Sequence, residues 1–173
     1  MADAPDASPP DPLTSRAPER KDLVALCREI HQRGGRYLIV GGFAVIMAGL
    51  PRTTGDIDLL IDASLENEAK IFAALATLPD GCVRELEPGD VARFTVVRVA
   101  DEILVDLMAS ASGIDYSEAA KSVVIHEIDG LPIPFASPEL LWRMKSRTGR
   151  EKDRGDLYFL RQWFAANGQA VPE

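Results

Sequence analysis

Asp56 and Asp58, one residue apart in Asp56-Ile57-Asp58, are the side chains of this sequence best placed to do chemistry. In a strand, residues i and i+2 project from the same face, so both carboxylates point one way while Ile57, Leu59 and Ile61 point to the core. Two carboxylates on one face repel each other unless a cation lies between them. Hard oxygen donors suit Mg2+ or Mn2+, bound by one or two carboxylates together with substrate phosphates and water. An isolated Asp-x-Asp is also common at the exposed end of a strand, so the pair needs company. Asp106 interrupts the apolar run Ile103-Leu104-Val105-Asp106-Leu107-Met108. Buried without a partner it would be costly, so it has to reach solvent, a cation or a hydrogen bond. A third signal is Val40-Gly41-Gly42-Phe43, read as strand, turn and helix. Paired glycines let a backbone approach a ligand, and a helix N-terminus offers free amides to phosphate oxygens. The same pair also serves an ordinary tight turn.

The elements that must position these residues follow from periodicity and turn chemistry. Leu23, Leu26, Cys27 and Ile30 recur at helical spacing and predict a helix over 19–33, ended by Gly34-Gly35. A buried strand is expected over 37–40, a helix over 43–48, a loop over 50–55 and the acidic strand over 56–61. Ser64 reads as the N-cap of a helix running to about residue 78. Residues 82–86 and 92–99 read as two strands joined at Pro88-Gly89-Asp90, followed by a strand over 102–108. Asp129-Gly130 marks a hairpin between 123–127 and 131–135. Ser137-Pro138-Glu139 opens another helix, and a last one is expected over 152–166, stopping at Asn167-Gly168. The expected fold class is α/β (α+β), a mixed β-sheet flanked by helices. It fills one domain over 19–168, with a disordered proline-rich tail over 1–18 and a short C-terminal tail over 169–173.

Bulk properties narrow the classes. A chain of 173 residues makes one domain with a real core. Its net charge of −8 argues against coating nucleic acid by bulk electrostatics, though not against a local basic site. No apolar run approaches a membrane span, no secretory signal opens the chain, and no membrane partner is expected. Cys27 and Cys82 show no metal spacing, so reduced thiols and a cytoplasmic location are the expectation. His31 and His126 have no spaced ligand partner, and Trp142, Phe159 and Trp163 fall at helix-packing positions.

Taken together, Gly41-Gly42, then Asp56-Ile57-Asp58, then Asp106 resemble the nucleotidyltransferase superfold related to the catalytic core of DNA polymerase beta. The stretch IVGGFAVIMAGLPRTTGDIDLLID looks especially like the AbiEii/AbiGii-type nucleotidyltransferases, with Arg52, Thr54 and the acidic pair matching their R-x-T-x-D-I-D form. The segment SPELLWRMKSRTGREKDRGDLYFL is similar to the same group, with Lys145, Lys152-Asp153 and Asp156 in matching positions. The resemblance covers roughly residues 20–165.

It implies a nucleotidyltransferase fold and transfer of a nucleoside monophosphate from a nucleoside triphosphate. Asp56, Asp58 and Asp106 would hold Mg2+ or Mn2+, Lys145 would touch the triphosphate, and Gly41 and Gly42 would bring amides to its phosphates. Arg52, Thr54, Lys152 and Asp153 would contribute to the nucleotide site. Toxin members of the similar group act on tRNA and typically carry a further C-terminal helical region, so the acceptor stays open between an RNA end, a protein and a small molecule. A toxin–antitoxin setting with a cognate toxin or antitoxin partner also follows from the resemblance. The competing expectation is a catalytically silent binding module or antitoxin acting through a protein partner.

Overall fold

The runs Tyr37–Val40 and Asp56–Ile61 are apolar on both faces apart from the two acids, and they become the middle of a sheet. The structure, a computed structural model, describes residues 14–173. In chain order the first half holds α1 (Arg20–Gln32), β1 (Tyr37–Val40), α2 (Gly41–Ala48), β2 (Asp56–Ile61), α3 (Leu65–Leu75) and α4 (Asp90–Arg93). The second half holds β3 (Val97–Ala100), β4 (Leu104–Met108), β5 (Ser110–Ala111), β6 (Ile114–Asp115) and α5 (Tyr116–Ala119). It ends with β7 (Val123–Ile128), β8 (Leu131–Ala136), α6 (Pro138–Ser146) and α7 (Arg154–Ala166).

Six strands form one mixed sheet in the order β3-β4-β2-β1-β8-β7, and β5-β6 make a separate ribbon. The β2–β4 and β1–β8 pairs are parallel, and the remaining neighbours are antiparallel. Helices flank the sheet: α1 packs on α3, while α6 packs on both α2 and α7. Ile57, Leu59, Leu60 and Ile61 are all fully buried, so β2 is covered on both faces beyond its acidic end. A strand buried on both sides reads as continuous apolar sequence, as β2 does after Asp58.

Several junctions follow from local chemistry. The Asp129-Gly130 turn joining β7 to β8 has φ of 52° and 75°, the double positive φ of a two-residue hairpin. Ser137 caps α6 by accepting from the Leu140 amide, and Pro138 occupies its first turn. Asn67, fully buried at the start of α3, bonds the Arg36 amide and the carbonyls of Arg36 and Asp62, clamping the entry to β1 to the exit of β2.

The two strands expected over 82–86 and 92–99 take another form. Cys82–Glu85 is a 3-10 turn, Asp90–Arg93 is α4, and only Val97–Ala100 is strand. The cause is tertiary: the buried carboxylate of Asp101 accepts from the amides of Asp80, Cys82 and Glu102 and winds the first segment into a turn. The helix from Ser64 stops at Leu75 rather than near 78, and a 3-10 turn over Glu151–Asp153 precedes α7. Of the segment expected as an N-terminal tail, residues 1–13 lie outside the described residues. Ser15 and Arg16 are fastened to the β3–β4 connection, Ser15 Oγ donating to the Asp101 carbonyl and the Arg16 amide to that of Glu102. At the other end, Trp142 Nε1 donates to the Pro172 carbonyl.

Candidate active site

The parallel pairing of β2 with β4 sets Asp58 level with Asp106. Asp56 follows at i−2 on the same face, and carboxylate oxygens of the three residues lie within 4.8 Å of one another. Burial first, then the charges of Asp56 and Asp106, push the Asp58 carboxyl up to about 7, against the opposing pull of Lys145 and Lys152. Near neutral pH this corner is therefore short of positive charge.

Gly41 and Gly42 form the first turn of α2 rather than a turn before it. Gly41 has φ +63°, and a Cβ placed there would sit 2.1 Å from Asp58 Oδ2; one at Gly42 would sit 2.3 Å from Thr54 Oγ1. The glycines thus let α2 start against the acidic strand itself, with its free N-terminal amides beside the three carboxylates. Gly41→Ala is expected to destabilise the protein by about 2–4 kcal/mol, combining left-handed strain with displacement of Asp58. Gly155→Ala, where a Cβ meets open space in α7, should change stability by less than about 1 kcal/mol. Urea denaturation of the two variants checks the contrast, and equal losses would remove the steric argument.

A cleft of about 580 Å³ opens above the acids, a size that suits a nucleotide. Its lining includes the residues expected at the metal and nucleotide site: Asp56, Asp58, Asp106, Gly41, Gly42, Arg52, Thr54, Lys145, Lys152 and Asp153. They do not stand there alike. Thr54 Oγ1 donates to the Asp56 carbonyl at 3.2 Å and so orients the start of β2. Lys152 is exposed. Arg52 pairs with Asp156 through two contacts of 3.1 Å.

Lys145 and Asp153, expected as ligand contacts, are tied into the protein. Lys145 is 7% exposed, and its Nζ lies 3.0 Å from both Asp153 and Asp156. Asp153 also accepts from Thr148 Oγ1 at 2.7 Å and Arg150 Nε at 2.9 Å. This network fastens α6, the 147–153 segment, α7 and the Arg52 loop around the cleft. An ammonium has three donors, so Lys145 keeps one for a ligand. Nearby, Arg143 pairs with Glu118 and Arg154 with Glu151. His31 and His126 pack edge-on against Tyr37 and Phe135, away from the acids.

No protein-family model matches the chain, and no curated protein matches it. Among solved structures, the crystal structure of a candidate nucleotidyltransferase from Thermotoga maritima superposes with a TM-score of 0.52 over 87% of this chain and 97% of that one, at 18% identity. The chain has the nucleotidyltransferase fold. A second match, an antigenic nucleotidyltransferase-like protein from Paracoccidioides brasiliensis, is 21% identical with a TM-score of 0.48, over 87% of this chain and 77% of that one. Among the described residues, no helix is long and apolar enough to cross a membrane.

Within this nucleotidyltransferase fold, the cleft residue bonded to the acids was not among those expected from the sequence. Arg98 on β3 donates through Nε and Nη2 to both carboxylate oxygens of Asp106 at 2.8 Å, and through Nη2 to Asp56 at 3.2 Å. Its signal was an arginine in the alternating run Val97-Arg98-Val99. That signal gains meaning only once β3 is laid antiparallel on β4, with Arg98 opposite Asp106.

Proposed function

We propose that the chain is a metal-dependent nucleotidyltransferase, moving a nucleoside monophosphate from a nucleoside triphosphate to a hydroxyl-bearing acceptor. The observation that supports it best is the meeting of Asp56, Asp58 and Asp106 within 4.8 Å, under a nucleotide-sized cleft and beside the N-terminus of α2. The donor set fits Mg2+ or Mn2+, because it is all carboxylate and Asp58 is short of countercharge. Asp56, Asp58 and Asp106 would hold the ion, which when bound supplies charge neutralisation at the phosphates and an activated acceptor oxygen.

The other residues bind and orient. The first amides of α2 at Gly41 and Gly42 face phosphate oxygens, and Lys152 and the remaining Lys145 donor add point charges. Arg52 and Thr54 hold the wall of the cleft. The acceptor oxygen attacks the α-phosphorus in line. The bond from that phosphorus to the β-bridging oxygen breaks, pyrophosphate leaves with the electron pair, and the hydroxyl proton passes to water by way of Asp106.

The acceptor is an RNA end, a protein side chain or a small molecule. Kinship with the AbiEii/AbiGii type, and with it a toxin–antitoxin role beside a cognate partner, rests on the sequence resemblance. The test is incubation with each α-labelled nucleoside triphosphate, Mg2+ and acceptors of the three classes, beside Asp56→Ala. Label transfer or pyrophosphate release that disappears in the variant is the expected result. Nucleotide binding without turnover under every acceptor would overturn the enzyme in favour of a binding module.

A further inference from the structure

Three acids share one corner, yet among the described residues the only cation bonded to them is Arg98. Its planar fork matches the Asp106 carboxylate edge to edge, the geometry in which arginine binds most firmly. The contact to Asp56 carries the guanidinium across from β4 to β2, so it bridges two of the three carboxylates. A hard divalent ion needs these same oxygens.

We propose that Arg98 is a built-in counter-ion of the acidic site, holding Asp56 and Asp106 in place and giving up their oxygens when a divalent ion binds. This rests on the metal-dependent reading above. Two further observations make the exchange feasible. Arg98 lies on β3, the edge of the sheet, and its side chain is 53% exposed, whereas that of Asp106 is 9% exposed. The arginine can swing into water while the carboxylate stays. The charges also favour it: once all three acids are ionised, they keep two net negative charges beside one guanidinium, and replacing +1 by +2 lowers that excess.

A surface ion pair that only ties β3 to the sheet would behave differently, because changing it would alter melting and leave ion affinity alone. The counter-ion predicts a direction. In full-length protein without nucleotide, Mn2+ titration followed by electron paramagnetic resonance should show Arg98→Gln binding on the order of tenfold more tightly than the unmodified chain. Arg98→Lys keeps the charge but loses the fork and should fall between the two. In the unmodified protein, the Arg98 Nε–H resonance should shift and exchange faster with water as Mg2+ is added.

Equal or weaker Mn2+ binding by Arg98→Gln would overturn the proposal. So would an Arg98→Lys affinity matching the unmodified chain, or an Nε–H resonance unmoved while Mg2+ saturates the site. The two readings fail separately. Tighter Mn2+ binding by Arg98→Gln with no transfer to any acceptor keeps the counter-ion and loses the enzyme. Transfer with unchanged Mn2+ affinity does the reverse. Cooperative melting of both variants establishes that they fold.

Discussion

Asp58→Asn is expected to reduce nucleotidyl transfer roughly 10³-fold while making the ion-free protein more stable at pH 8. Both effects have one cause. The folded protein holds the Asp58 carboxyl at about 7 against an ordinary value of 3.8, through burial and the neighbouring Asp56 and Asp106. Between those two values the folded state carries a proton that the unfolded chain releases, so stability falls as pH rises through that window. Below it the penalty is absent; above about 7 it is complete, at most on the order of 4 kcal/mol. Asparagine never ionises and escapes it. Urea denaturation in EDTA should therefore show the variant ahead by about 2–4 kcal/mol at pH 8 and level with the unmodified chain near pH 3.5. Saturating Mg2+ should stabilise the unmodified chain far more than the variant. A variant with no advantage at pH 8 would contradict the crowding of charge around Asp58.

Lys145→Met is expected to cost about 3–5 kcal/mol of stability, because it leaves two buried carboxylates without their shared ammonium. The Asp153 and Asp156 side chains are 3% and 5% exposed, so water does not replace the lost partner. Burial alone would raise the Asp153 carboxyl, but hydrogen bonds from Thr148, Lys145 and Arg150 outweigh it and hold the group below its ordinary value of 3.8. The stabilisation it brings is thus complete above that value and fades as pH falls beneath it. Denaturation of both proteins at pH 7 and pH 3 checks this: the gap should be smaller at the lower pH. A loss under about 1 kcal/mol at pH 7 would return Lys145 to a pure ligand contact, as its sequence position implied.

The acidic trio was legible because each member broke a rule of strand composition. Asp56 and Asp58 share the spacing that puts two charges on one face, and Asp106 is a lone charge in an apolar run. The caps and the Asp129-Gly130 turn were legible because they depend on residues adjacent in sequence. What escaped depends on partners brought from a distance. Residues 82–86 precede the Pro88-Gly89-Asp90 turn and so read as one arm of a hairpin, but the Asp101 carboxylate across the chain takes the amides of Asp80 and Cys82 and winds the start of the segment into a turn. Lys145 was expected as a triphosphate contact; only the return of α7 past α6 encloses it between two aspartates. Arg98 was unreadable for the same reason, since its meaning lies in the strand beside it. Gly41 was legible as a close backbone approach, but that its missing side chain makes room for Asp58 was not, because β2 lies beside it only in the fold.

The rungs between β2 and β4, with Asp58 abreast of Asp106, make cation uptake a test of strand alignment. Slipping either strand by one position would turn its acid to the opposite side of the sheet. A molecule with those strands misaligned would be blind to manganese even if its helices had formed. Relaxation of water protons by added manganese would therefore count the correctly assembled fraction of a preparation, something a helix signal in circular dichroism does not distinguish.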